Sequence, residues 1–187
     1  ADGKTREIAK EAWPEELRVR NVEQLGQVFT PPKVVAFMLA LCSNRGRALE
    51  PSAGDGVFFQ LLKERHPDCV GIEIDPRVAP AGAEVRDFFD YPVDEQFDTI
   101  VGNPPYVRFQ DVAVDTKKRL KSDLFDARSN LFLFFIEKCI RHLKPGGELV
   151  FIVPREFNYL LNPRHSDFAR LKFQPPLPFG FDSRMWK

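Results

Sequence analysis

The segment Val101-Gly102-Asn103-Pro104-Pro105-Tyr106 carries the most specific chemistry in the chain. Adjacent prolines fix the backbone and remove two N–H donors, so carbonyl oxygens are left to face outward. Asn103 adds a carbonyl on its side chain, and Tyr106 adds a ring on which a flat group can stack. Such a set suits a conjugated primary amine. The lone pair of that amine is delocalised, which makes it a poor nucleophile. Two acceptors out of the ring plane pull both N–H bonds away from planarity and free the lone pair to attack an electrophilic carbon. Neither a metal nor a covalent enzyme intermediate is needed. Asn103, Pro104 (through its carbonyl) and Tyr106 are therefore the expected catalytic residues; a bland strand-to-loop turn is the alternative.

A second group of residues suits a cationic, nucleoside-like ligand. Leu49-Glu50-Pro51-Ser52-Ala53-Gly54-Asp55-Gly56 reads as a strand end, a turn of small residues and a helix start. Around Gly54 the backbone can approach a ligand closely. This is no phosphate loop, because the Lys-Ser/Thr ending is missing and Glu50 and Asp55 would repel phosphate. A plain βα turn would also use small residues. Glu73 closes the next apolar stretch, about 20 residues beyond the glycine turn, where an acid accepts hydrogen bonds from ribose hydroxyls. Ile74 can cover one face of a base. Asp87-Phe88 ends a third stretch, offering a carboxylate for a base amino group and a ring to stack.

These residues need strand ends to hold them, and the pattern supplies strands over 47–51, 69–75, 83–87, 97–102 and 148–154. Helices are expected over 57–65 and 130–143. The second of these carries Leu131, Phe134, Phe135, Ile136, Cys139 and Ile140 on its apolar side and is stopped by Lys144-Pro145-Gly146-Gly147. Thr30-Pro31-Pro32 predicts a helix start capped by Thr30, and the apolar run 34–41 predicts a helix buried all round. The polar stretch 104–129 reads as a long loop. Alternating strands and helices imply an α/β, mostly parallel sheet covered on both faces, of Rossmann-like type. Residues 1–24 read as a charged N-terminal arm or helix, 25–173 as the main domain, and 174–187 as an irregular tail.

The chain has 187 residues, enough for one domain with a substantial core. Lys+Arg and Asp+Glu both number 27, so the formal charge is zero and a grip on nucleic acid by bulk charge alone is excluded. Cys42, Cys69 and Cys139 lie far apart without metal-ligand spacing and are expected as reduced core thiols. No apolar run is long enough for a membrane span and no signal peptide opens the chain, so a cytoplasmic, non-membrane protein without a metal is expected.

Taken together, residues 24–155 resemble the gamma-class N6-adenine DNA methyltransferases of bacterial restriction–modification systems. The resemblance includes Gly26-Gln27-Val28-Phe29-Thr30-Pro31-Pro32 placed before the glycine turn, the motif order of that class. It implies a class I S-adenosylmethionine-dependent methyltransferase fold, S-adenosylmethionine as cofactor and double-stranded DNA as partner. By resemblance Thr30 contacts the cofactor carboxylate, and Glu50, Ser52 and the Gly54 turn line its methionine end. Glu73 holds the ribose. Ile74, Asp87, Phe88 and Phe135 surround the cofactor adenine, with Pro105 next to it. Asn103 and the Pro104 carbonyl bind the target amino group, and Tyr106 stacks on a flipped adenine. Asn130-Leu131-Phe132 is similar to the opening of the family's next helix. Lys117, Lys118, Arg119 and Lys121 form a short basic cluster placed to hold target-strand phosphates; a solvated loop diluted by nearby aspartates is the alternative.

Two departures stand out. The family's second base-stacking aromatic lies on a loop beyond the fifth strand, yet here only a short stretch separates Pro154 from 168–173, which resembles the strand after that loop. Phe157 is the candidate that remains. Nothing in 174–187 can serve as a target-recognition domain, so recognition falls to a further C-terminal part or a partner subunit. Two other readings stay open. Asn-Pro-Pro-Tyr also occurs in enzymes that methylate a glutamine amide of release factors, and a non-catalytic remnant that binds DNA or a subunit would keep the fold without the reaction.

Overall fold

The computed structural model describes residues 30–154. The arm expected over 1–24, Phe157, the 168–173 strand and the tail lie outside the described residues.

Five strands, β1 (Ala48–Glu50), β2 (Cys69–Glu73), β3 (Glu84–Val85), β4 (Phe97–Gly102) and β5 (Leu143–Phe151), form one sheet in the order β3-β2-β1-β4-β5. Every pairing is parallel. The chain runs outward from β1 to β3 and then crosses back to β4 on the other side of β1. That reversal opens a crevice between the carboxyl ends of β1 and β4, the place where ligands bind in open parallel sheets.

Strand alternation sends successive side chains to opposite faces, and both faces are covered. Ala48 and Val101 join Val35, Met38 and Leu39 of α1 (Pro32–Leu41) and Phe58 and Leu62 of α2 (Val57–Arg65) in one buried cluster. Leu49, Ile72 and Ile100 join Leu131, Phe135 and Cys139 of α4 (Leu131–Arg141) in the other. Helix α2 starts on Gly56, whose φ of +82° belongs to the left-handed region that glycine occupies without strain. Gly71 of β2 serves a different need, since a Cβ there would lie 2.6 Å from the ring of buried Phe59. Gly71→Val should therefore force strand and helix apart and cost about 1–3 kcal/mol, read as a lowered denaturation midpoint.

Several local expectations are corrected. Thr30 does not cap α1; Pro31 occupies the cap position with no side-chain hydrogen bond. The helix is not buried all round, because Phe37 and Leu41 are 42% and 52% exposed and only one stripe meets the sheet. Residues 104–129 are not all loop. They contain α3 (Val114–Arg119), too short and too polar to show an apolar periodicity. On α4, Ile140 faces outward at 53% exposure, while Phe132 and Glu137 are buried. The helix stops at Arg141, two residues before the expected end at 143, and strand pairing resumes at once with Leu143 beside Phe97, so that β5 starts earlier than the expected 148 and holds Lys144-Pro145-Gly146-Gly147 as a bulge. Cys42 and Cys139 are buried and Cys69 is half-buried, all as free thiols. Among the described residues, no helix is long and apolar enough to cross a membrane.

His66 and His142 end α2 and α4 and are both fully buried. Each Nδ1 lies 2.8 Å from a backbone carbonyl, that of Gly46 or Glu95, and each Nε2 lacks a hydrogen-bond partner among the described residues. For His142, a neutral ring with its proton on Nδ1 satisfies that geometry. Burial, above all, holds His142 below the ordinary imidazole range. The unfolded chain therefore binds this proton at a pH where the native state does not, and stability falls as pH drops below the ordinary histidine value of about 6.5. Thermal unfolding from pH 7 to 5 should show it as a difference: relative to His142→Asn, which keeps a donor toward Glu95 but no titratable ring, the parent should lose stability as pH falls.

Candidate active site

The crevice between β1 and β4 is lined by Thr30, Glu50, Ser52, Ala53, Gly54, Asp55, Val57, Phe58 and Asn103. Residues that the sequence separates by more than 70 positions are thus neighbours across one cavity. The turn after β1 is pinned on two sides. Ala53 N–H donates to the Ile72 carbonyl of β2 at 2.7 Å, and the Ser52 hydroxyl donates to the Asn103 carbonyl at 3.3 Å.

Glu50 ends β1 with 1% exposure, and its Oε2 has no hydrogen-bond partner among the described residues. Burial, then Glu73, then Asp55 push its carboxyl well above the ordinary range. Glu73, 5% exposed, has its oxygens occupied by the N–H groups of Gly54 at 2.7 Å and Asp75 at 2.9 Å. It therefore braces the glycine turn, and only its second lone pairs are left for a ligand. Ile74 beside it is 44% exposed and offers an apolar surface.

The third strand end is more committed to the protein than its sequence suggested. Asp87 Oδ1 accepts from Phe89 N–H at 2.9 Å, and Oδ2 accepts from the Thr116 hydroxyl of α3 at 2.8 Å. Phe88 is 2% exposed and stacks on Phe135 with ring centroids 5.1 Å apart. The two rings belong to the core, and little of either reaches solvent.

Beyond β4, the Asn103 side chain sits between two hydroxyls. Its Nδ2 donates to Thr30 Oγ1 at 3.2 Å, and its Oδ1 lies 2.7 Å from the Tyr106 hydroxyl. That hydroxyl is also 2.7 Å from the Ile152 carbonyl, while the ring meets Phe132 edge-on at 5.8 Å. Tyr106 is thus a fixed, half-buried ring, and burial raises its pKa, keeping the phenol protonated. Sequence reasoning did not find this phenol-to-amide contact, although the spacing of three residues makes it local.

Of the basic cluster, Lys117 donates to the Gln110 carbonyl at 3.0 Å, Lys118 pairs with Asp115 at 3.0 Å, and Arg119 pairs with Asp90 at 2.7 Å. Lys121 is exposed. The structure brings these side chains onto and beside α3 but commits three of them to neighbours. The loop itself is anchored by buried Glu137, which accepts from the Ser122 hydroxyl, from Asp123 N–H at 3.2 Å and from Arg141 at 2.5 Å.

A parallel sheet with an acidic cavity at its switch point, next to an Asn-Pro-Pro-Tyr strand end, defines a class I S-adenosylmethionine-dependent methyltransferase fold. Solved structures agree on the fold. A protein of Listeria monocytogenes described as a class I S-adenosylmethionine-dependent methyltransferase superposes with a TM-score of 0.50 at 20% identity, over 74% of this chain and 48% of that one. A Vibrio vulnificus chain described as a modification subunit of a type I restriction enzyme gives 0.52 at 16% identity, over 74% and 33%. The sequence profile of the Eco57I restriction-modification methylase family matches residues 73–169, and the chain belongs to that family. Among relatives, the type II methyltransferase M.TthHB8I of Thermus thermophilus is 40% identical over 79% of this chain and 38% of its own length. M.HincII of Haemophilus influenzae is 37% identical over 71% and 28%. The chain thus spans well under half the length of these relatives.

The cofactor of this class is S-adenosylmethionine, and the cavity suits it. A buried carboxylate with an unpartnered oxygen, backed by two further acids, matches the ammonium of an amino-acid moiety. Phosphate would be repelled from the same walls.

Proposed function

We propose that this chain is the catalytic part of a DNA methyltransferase that transfers the methyl group of S-adenosylmethionine to N6 of an adenine turned out of the duplex. The observation that carries this reading is the position of Asn103 on the wall it shares with Glu50. The cofactor-side acid and the amine-side acceptor face one cavity. The cofactor supplies a methyl group made electrophilic by an adjacent sulfonium. Glu50 binds the ammonium, and Ile74 covers the base. Thr30, Ser52, Gly54 and Glu73 complete the methionine and ribose contacts, while Asp87 and the backbone around Phe88 and Pro105 border the adenine. Asn103 and the Pro104 carbonyl accept the two N–H bonds of the target amine and so expose its lone pair, and Tyr106 packs beside the base. Turning the base out costs a few kcal/mol, drawn from contacts along the duplex that Lys121 and its neighbours on α3 contribute to. Sequence recognition comes from a part of the protein, or a partner, beyond this chain.

The test is transfer of labelled methyl from S-adenosylmethionine into DNA, RNA and bacterial protein offered together, with products identified by mass spectrometry. N6-methyladenine from DNA is the expected product. Label in protein glutamine, or in another base, would overturn the reading.

A further inference from the structure

Thr116 is the one buried residue of α3, at 7% exposure. A buried hydroxyl needs a partner, and this one donates to Asp87 Oδ2 at 2.8 Å, 29 residues back in the chain. Asp87 also caps the 3-10 turn Phe88–Asp90, its Oδ1 accepting from Phe89 N–H at 2.9 Å. The last torsion of an aspartate side chain is broad, and a bond on each oxygen fixes it. An ionised carboxylate has about four acceptor sites, so these oxygens keep acceptor capacity for a ligand. Arg119, one turn further along α3, has Nη1 3.8 Å from the same Oδ2, while its Nε is committed to Asp90 at 2.7 Å. At that distance the guanidinium contributes charge but no directed bond. The orientation of the carboxylate therefore falls to the Thr116 hydroxyl.

We propose that Thr116 is a positioning residue for Asp87 and thereby sets the preference for adenine in the cofactor: its hydroxyl keeps the carboxylate turned so that it accepts from the 6-amino group of the cofactor base. This rests on the place given to Asp87 beside the adenine in the functional reading above. Without the hydroxyl, Oδ2 closes on the Arg119 guanidinium and the carboxylate turns off the base. Valine matches threonine in shape but has no proton to donate. Helix α3 has six residues, too few to hold a helix by themselves, so the same bond ties α3 to the cofactor side of the site.

The test compares two ligands by calorimetry: S-adenosylhomocysteine, and its analogue with unsubstituted purine in place of adenine, which lacks the 6-amino group. The parent should prefer the adenine ligand. Thr116→Val should lose about three- to tenfold in affinity for S-adenosylhomocysteine, the range expected when a hydrogen bond to a charged group is loosened rather than deleted. Its affinity for the purine analogue should stay within about twofold of the parent value. Thr116→Ala, smaller than valine and a stronger helix former, should behave as valine does, so a fold disturbed by valine does not decide the result. Thr116→Ser should restore the preference. Asp87→Asn, which keeps an acceptor for the cap and sets an NH2 on the other side, should abolish it. Equal losses for both ligands in Thr116→Val and Thr116→Ala would make Thr116 a structural prop and overturn the proposal. An unmoved preference in those variants, with the preference lost in Asp87→Asn, would overturn it while leaving Asp87 beside the adenine. A preference unmoved in Asp87→Asn as well would remove Asp87 from the adenine, and the proposal would fall with that part of the functional reading.

Discussion

Asn103→Ala should reduce methyl transfer by about two to three orders of magnitude, the loss seen when one preorganised hydrogen-bonding group is removed from a desolvated transition state. Affinity for S-adenosylhomocysteine should change little. The reason is the position of the side chain at the end of β4, where its amide meets Thr30 and Tyr106. Its share in the reaction is realised only as the amine pyramidalises, so the loss falls on the chemical step rather than on cofactor capture. The backbone of Asn103 still accepts from Ser52 in the variant, so the turn after β1 keeps its tie to β4. Single-turnover transfer and calorimetry check this directly. A collapse of cofactor affinity would mean that Asn103 belongs to the cofactor site.

Glu50→Gln should separate stability from binding. In the free protein this carboxyl is buried, with one oxygen unpartnered and two acids nearby, and its pKa is raised well above the ordinary value of 4.5. A raised native pKa means that the native state holds the proton more tightly than the unfolded chain does. This contribution to stability is therefore fully present below the ordinary glutamate value and is lost as pH rises through the native one. Glutamine removes the titration, so the variant should unfold at a higher temperature than the parent near neutral pH and lose less stability between pH 5 and 8. Cofactor binding should move the other way. A hydrogen bond between charged groups is worth about 1.5–3 kcal/mol, so affinity should drop about ten- to a hundredfold. The parent should bind more tightly as pH rises and release a proton on binding, measured as a dependence of the calorimetric heat on buffer ionisation. The glutamine variant should show no such release. Equal affinity in parent and variant would remove Glu50 from the cofactor site.

Much of the architecture was legible because its signals are local. Helix α2 and strand β4 lie where apolar period and glycine turn put them, at 57–65 and 97–102. The parallel sheet follows from strands that alternate with helices, since parallel neighbours need such crossovers. Elements whose identity depends on distant partners were misread. Helix α3 has six residues and no apolar stripe, and it is held by Thr116 on Asp87 and Arg119 on Asp90. Strand β5 starts at Leu143 rather than at the expected 148, because pairing with β4 carries the Lys-Pro-Gly-Gly stretch that follows the helix end into the sheet as a bulge.

The same division runs through the site. Glu50, Asn103 and Tyr106 could be singled out because a residue type at a strand end already restricts the chemistry it can do. What each of them touches is a property of the folded chain. That Glu50 is left with a bare oxygen, that Phe88 and Phe135 spend their faces on each other, and that Thr30 turns from its own helix to Asn103 depend on the crossover that sets β4 beside β1. Chemical capacity is local to a side chain, whereas hydrogen-bond partners, burial and the resulting charge state arise only when segments far apart in the chain are packed against one another.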